Sequence, residues 1–134
     1  MNTLADSGYF VGLFNTKDHH HIRCKAFFAG YTGQTTTTWA VFTEVCTLLT
    51  HSKQKMFVAW AAKAQELGHL RIESPPADAV MALWTLMDKY EDLPMDFCDA
   101  SLVYLATVKH RLMQQLLHQK HWNLKTPRKY LIIK

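Results

Sequence analysis

The stretch Tyr90–Ala106, YEDLPMDFCDASLVYLA, decides how the rest of this chain is read. Leu93-Pro94 predicts a helix start, and the helix is expected to continue to about Lys109. Phe97, Ala100, Leu102, Val103, Leu105 and Ala106 make it apolar nearly all round, which implies burial. Asp96 and Asp99 stand three residues apart and so project from one side, a side that Leu102, Val103 and Ala106 continue. Two carboxylates on a buried face raise each other's pKa and carry a desolvation cost unless a cation or hydrogen-bond donors meet them. A helix N-terminus favours negative charge, so capping accounts for one of them. It accounts for both less well.

Working outward, the pattern alternates strands with helices. Thr3 to Asp6 reads as a brief strand, followed by a turn and a first helix through Tyr9–Phe14. Asp18 is placed to cap a helix containing His21, Ile22, Ala26 and Phe27. Thr35 to Trp39 is β-branched, as a strand prefers, and Ala40–Thr50 then takes helical periodicity. Lys53–Leu67 predicts a helix closed by Gly68, and His69–Glu73 a short strand. Pro75-Pro76 opens a helix to about Tyr90, with Val80, Leu83, Trp84 and Met87 at 3–4 residue spacing. Leu112–Gln119 reads as helical and Tyr130–Ile133 as a strand. The expectation is an α/β fold, a three-layer α/β/α sandwich around a mainly parallel sheet.

Two further acids fall at strand-to-helix junctions. Asp6 lies where the first strand should end, and ligand sites in open α/β sheets gather at the carboxyl ends of strands. A plain N-cap for the next helix explains it as well, and the two roles are compatible. Glu44 is placed by helical arithmetic: with Val41 at zero it falls at about −60°, just off a stripe made by Val41, Phe42, Val45, Leu48 and Leu49. Three acids on three elements can converge on one hard cation, and oxygen donors without His or Cys suit Mg2+ or Mn2+ better than zinc. Such an ion activates water and stabilises charge on a phosphodiester.

Bulk properties bound the function. A chain of 134 residues, 49% hydrophobic and 19% charged, fits one ordered domain rather than a disordered segment. No apolar run is long enough to span a bilayer, and the start MNTLADSGYFVGLF lacks a basic region and does not read as a signal peptide. Cys24, Cys46 and Cys98 are odd in number and scattered through apolar segments, which predicts free thiols in a reducing cytoplasm. Charge is one-sided: residues 1–99 carry −3 and residues 100–134 carry +7 with no acid at all. The basic end reads first as a solvated tail, second as a phosphate-contacting segment. We therefore divide the chain at residues 1–111 and 112–134.

Three blocks together resemble the PIN-domain family of the VapC toxin kind. Tyr90–Ala106 resembles its third block, in which an acid followed by Ala opens a buried helix. Leu4–Phe14, LADSGYFVGLF, resembles the first, with Asp6 as first acid and Ser7 as its hydroxyl neighbour. Thr35–Leu49, TTTTWAVFTEVCTLL, resembles the second, with Glu44 as second acid, and Asp18–His21 resembles the start of the family's second helix. Order and spacing agree over residues 3–109. The resemblance implies a ribonuclease using Mg2+ or Mn2+, with Asp6, Glu44 and Asp99 as metal-binding and catalytic acids and Asp96 and Ser7 as auxiliaries. It also implies an RNA substrate, an antitoxin protein as partner, no membrane, and a homodimer. Family members usually supply a fourth acid from a later Thr-x-Asp strand, and nothing after Asp99 is acidic here. The alternative is therefore a catalytically weakened homologue that binds RNA or protein.

Other features point to chemistry less well. His19-His20-His21 face different directions on a helix and cannot share one ion, so a surface role is the reading. Ser7 and Ser101 lack a His-Asp pattern for nucleophilic work. Cys98, between two Asp, should have a raised pKa and be a poor nucleophile. Phe57, Trp60, Trp84 and Met87 are at core or dimer-interface spacing.

Overall fold

The computed structural model describes residues 3–90, 95–117 and 132–133, with side chains as far as residue 108. Within these residues the chain runs β1 (Thr3–Ala5), α1 (Ser7–Phe14), α2 (His21–Gly30), β2 (Thr35–Thr38), α3 (Trp39–Leu48), α4 (His51–Glu66), β3 (Leu70–Glu73), α5 (Val80–Lys89), α6 (Phe97–Leu117) and β4 (Ile132–Ile133). The strands form one sheet in the order β3-β2-β1-β4, every pairing parallel. β1 is set by Thr3 opposite Thr35, and β2 by Thr35 opposite Leu70. Every residue of β1 and β2 is buried, although successive side chains point to opposite faces. Both faces are therefore covered, which is the α/β sandwich expected of a parallel sheet.

The core gathers Leu4, Tyr9, Phe10, Val41, Val45, Phe57, Ala61 and Leu102 between the sheet and its helices. Phe57, fully buried, has its ring 4.8 Å from Phe42, 5.4 Å from Phe14 and 5.5 Å from Phe10. That puts α1, α3 and α4 around one aromatic centre. α1 and α2 approach closely at Gly12, where a Cβ would stand 2.6 Å from Cys24 Sγ. Gly68 ends α4 at φ 76°, the left-handed turn that a glycine adopts without steric cost.

Boundaries differ from the sequence expectation for identifiable reasons. Trp39 is the first residue of α3 rather than the last of β2, because Thr38 caps the helix: its hydroxyl accepts Val41 N–H at 3.2 Å. Asp18 does not cap α2 directly. Its carboxylate accepts His20 N–H at 2.8 Å in a turn, and the helix starts at His21. Pro75 and Pro76 precede α5 by several residues, with an intervening turn in which Ala79 N–H donates to Pro76 O. The start expected at Leu93-Pro94 lies outside the described residues, and the helix is observed from Phe97. It runs unbroken to Leu117, which merges the two segments expected there. Of the α5 residues, Leu83 is buried, while Val80, Met81 and Trp84 are exposed, so of the two alternatives for Trp84, core or dimer interface, the core one does not hold. Of the expected Tyr130–Ile133 strand, Ile132 and Ile133 pair with Leu4 and Ala5, and the two residues before them lie outside the described residues. Among the described residues, no helix is long and apolar enough to cross a membrane.

Candidate metal and phosphodiester site

Asp6 follows the last residue of β1 and precedes the first of α1. Its backbone is extended, and its Oδ1 accepts Tyr9 N–H at 3.2 Å, so the capping role is observed. Ser7, half-buried, opens the helix. Thr37 Oγ1 donates to Ala5 O at 2.8 Å, tying the end of β1 to the end of β2. α3 leaves β2 without a linker and carries Glu44 in its second turn, half-buried as its angle beside the apolar stripe predicted. α6 meets the same end of β2: Thr38 Oγ1 and Ser101 Oγ are 2.8 Å apart and both side chains are fully buried. Asp99 sits in the first turn of α6, half-buried. The sequence-expected acids thus come from three elements at the carboxyl edge of the sheet.

Charge at this edge can be read from the thiols beside it. Burial pushes Cys98 up to about 12, followed by the charges of Glu44 and Asp96, a hydrogen bond to Glu44, and the charge of Asp99. The expected rise is therefore observed, with desolvation its largest cause. Cys24 is raised by burial first, then by Asp18 and, more weakly, by Asp6, with Arg23 opposing. Glu44, Asp96 and Asp99 thus act on the Cys98 thiol, whereas Asp6, with Asp18, acts on that of Cys24.

Asp96 needs a correction. It precedes α6, is exposed, and its Oδ1 accepts Asp99 N–H at 2.8 Å. Expecting Asp96 and Asp99 on one buried face assumed that the helix already included Asp96. Starting at Phe97, it makes Asp96 the cap.

The donors suit a hard divalent cation. They are carboxylate oxygens, the donors that suit Mg2+ or Mn2+. Among the described residues, no three His, Cys, Asp or Glu side chains are gathered as an ion-holding cluster. That includes His19, His20 and His21, of which His21 Nδ1 lies 2.7 Å from Gly12 O. The helices α1 and α3 begin directly after strands, and α6 begins beside them, so three helix N-termini open at this edge and favour an anion.

Sequence reasoning missed the hydroxyls. Thr38 and Ser101 reach the same junction from β2 and α6, and their signals were a Thr immediately before a helix and a Ser in an otherwise apolar one. A cavity of about 300 Å³ lies at the opposite, amino edge, lined by Tyr9, Phe28, Tyr31, Trp60, Leu67 and His69 among others. It holds none of the predicted acids.

Comparison with known proteins agrees with this frame. The PIN domain family model matches residues 3–112. No curated protein matches the sequence. The crystal structure of Mycobacterium tuberculosis VapC20, described as a sarcin-ricin loop cleaving toxin, is similar with a TM-score of 0.67. The two are 24% identical, over 81% of this chain and 83% of that one. At this identity the likeness is one of fold.

Proposed function

From the premise that the chain belongs to the PIN domain family, we propose that it is a metal-dependent endoribonuclease that hydrolyses RNA phosphodiesters as the toxin of a toxin–antitoxin pair. What supports the proposal is the order of the elements: Asp6 directly follows β1, Glu44 lies on α3, which leaves the end of β2 without a linker, and Asp99 opens α6, which meets that end of β2 through Thr38 and Ser101. In this reading the three carboxylates hold Mg2+ or Mn2+, with Asp96 and Ser7 as auxiliaries. When bound, such an ion supplies a water of lowered pKa and offsets charge on the scissile phosphate. The N-termini of α1, α3 and α6 attract the phosphate, and the half-buried setting of Glu44 and Asp99 strengthens their hold on a cation. Water attacks phosphorus in line as the P–O bond to the leaving oxygen breaks. An RNA target, an antitoxin partner and a homodimer belong to the same reading, the first in keeping with the description of VapC20 as a sarcin-ricin loop cleaving toxin.

A second reading is supported by two observations. Asp6 and Asp96 are engaged as helix caps, and no acid follows Asp99. A weakened homologue that binds RNA or protein without cutting would carry both. Incubation of single-stranded and structured RNAs with the wild type in Mn2+, in chelator, and with Glu44→Gln separates the two. Cleavage that needs Mn2+ and Glu44 supports the nuclease. Stable binding with no cleavage under any of these conditions supports the binding module and sinks the enzymatic reading.

A further inference from the structure

A buried polar connection joins the helix that carries Glu44 to the helix that carries Asp99. Thr38 and Ser101 are separated by 63 positions in sequence, yet their hydroxyl oxygens are 2.8 Å apart and both residues are 0% exposed. The one proton of Ser101 Oγ goes to Cys98 O at 2.7 Å, so Thr38 is the donor in the bond between the hydroxyls. Thr38 Oγ1 in turn accepts Val41 N–H at 3.2 Å, in the first turn of α3. The chain of bonds therefore runs from the start of α3 to the start of α6 without a gap. From its other side Cys98 meets α3 again, through its thiol and Glu44.

Packing alone does not call for hydroxyls here, since an apolar residue at either place avoids the desolvation cost of a buried polar group. Removing one hydroxyl leaves the other without its buried partner, and such a loss is felt locally. We infer that Thr38 and Ser101 form a positioning clamp that fixes the separation of Glu44 from Asp99. The inference rests on the reading of those acids as cation ligands. Neither hydroxyl touches substrate; both act through the helices that they join. Outer partners that orient ligands matter to affinity in metal sites generally, by roughly 10–100-fold.

The test is Mn2+ binding to the RNA-free protein, read by electron paramagnetic resonance, for the wild type, Ser101→Ala and Thr38→Ser. Folding of each is checked by circular dichroism. Ser101→Ala is expected to bind about tenfold more weakly, and Thr38→Ser, which keeps the hydroxyl and the cap, to bind as the wild type does. Should Ser101→Ala fail to fold, Thr38→Val, of the same shape but without the hydroxyl, takes its place in the comparison. Equal affinity of wild type and the hydroxyl-less variant overturns the clamp and leaves the metal reading standing. A folded wild type that binds no Mn2+ removes the metal reading instead. Amide exchange then decides the clamp by itself: selective loss of protection in the first turns of α3 and α6 supports it, and unchanged protection there overturns it.

Discussion

The carboxylate of Asp96 accepts the backbone N–H of Asp99 at 2.8 Å, so the two acids of the third block are cap and capped residue. Asp96 is exposed and Asp99 half-buried. The arrangement divides their work: one starts the helix that presents the other. Asp96→Ala should cost about 1 kcal/mol through the lost cap, whereas Asp96→Ser or Asp96→Asn should cost a few tenths. Urea unfolding of the three variants measures this. Equal losses in all three would mean that the side chain is not capping α6.

At Asp6 the cap and the proposed ligand are the same carboxylate, and one substitution separates them. Asparagine caps a helix about as well as aspartate, so Asp6→Asn should keep the Tyr9 N–H bond and unfold within about 0.5 kcal/mol of the wild type. It should lose RNA cleavage by about a hundredfold or more, as removing a transition-state electrostatic contact does. Cutting that persists unchanged in Asp6→Asn removes the catalytic assignment, and a cutting loss that tracks unfolding reduces Asp6 to its cap.

The same residues show how much of the site was legible in the sequence. Glu44 was placed correctly because its angle to the apolar stripe depends only on its own helix. Asp96 was misplaced because a same-face argument depends on where the helix starts, and that boundary was three to four residues off. The periodicity of α5 was legible, yet which neighbours would cover it was not: Leu83 went inward while Val80 and Trp84 stayed out. The pairing of Thr38 with Ser101 lies beyond the sequence for the same reason, since their meeting is a product of how α6 crosses the end of β2. The aromatic centre at Phe57 was visible as an apolar position and not as a junction of three helices.

That junction makes a direct stability prediction. Phe57 is 0% exposed and its ring lies within 5.5 Å of Phe10, Phe14 and Phe42 centroids. Phe57→Ala should therefore cost about 3–5 kcal/mol, through lost burial and the cavity left between α1, α3 and α4. Phe57→Leu should cost clearly less. Chemical denaturation with unchanged m-value is the appropriate reading. A loss below about 1 kcal/mol for the alanine variant would contradict the packing described.

The thiols give a pH prediction. Burial raises Cys24, Cys46 and Cys98 above their ordinary 9.0, Cys98 to about 12. An acid whose folded pKa is raised holds its proton more tightly when folded, so its contribution to stability is complete below pH 9. It declines as pH rises from 9 towards 12. With so little thiolate, the native protein at pH 8 should react slowly with a disulfide reagent, and all three thiols should react quickly in denaturant. Fast reaction of one thiol in the native state, identified by mass spectrometry, would show that its environment is not the one described.

The close contact of α1 with α2 allows the sharpest test of packing. A Cβ on Gly12 would stand 2.6 Å from Cys24 Sγ, a distance that carbon and sulfur do not tolerate. Gly12→Ala should therefore destabilise by about 1–3 kcal/mol, although alanine is the better helix former. The sulfur is the obstacle, since the next atoms met are Cys24 Cβ at 3.4 Å and Asp18 Oδ1 at 3.8 Å. Shortening Cys24 to glycine clears it, so Gly12→Ala should be less harmful in a Cys24→Gly background than alone. A double-mutant cycle on unfolding free energies measures that coupling, expected at about 1 kcal/mol or more for residues in contact. Strict additivity would mean that the two helices do not meet at Gly12 and Cys24.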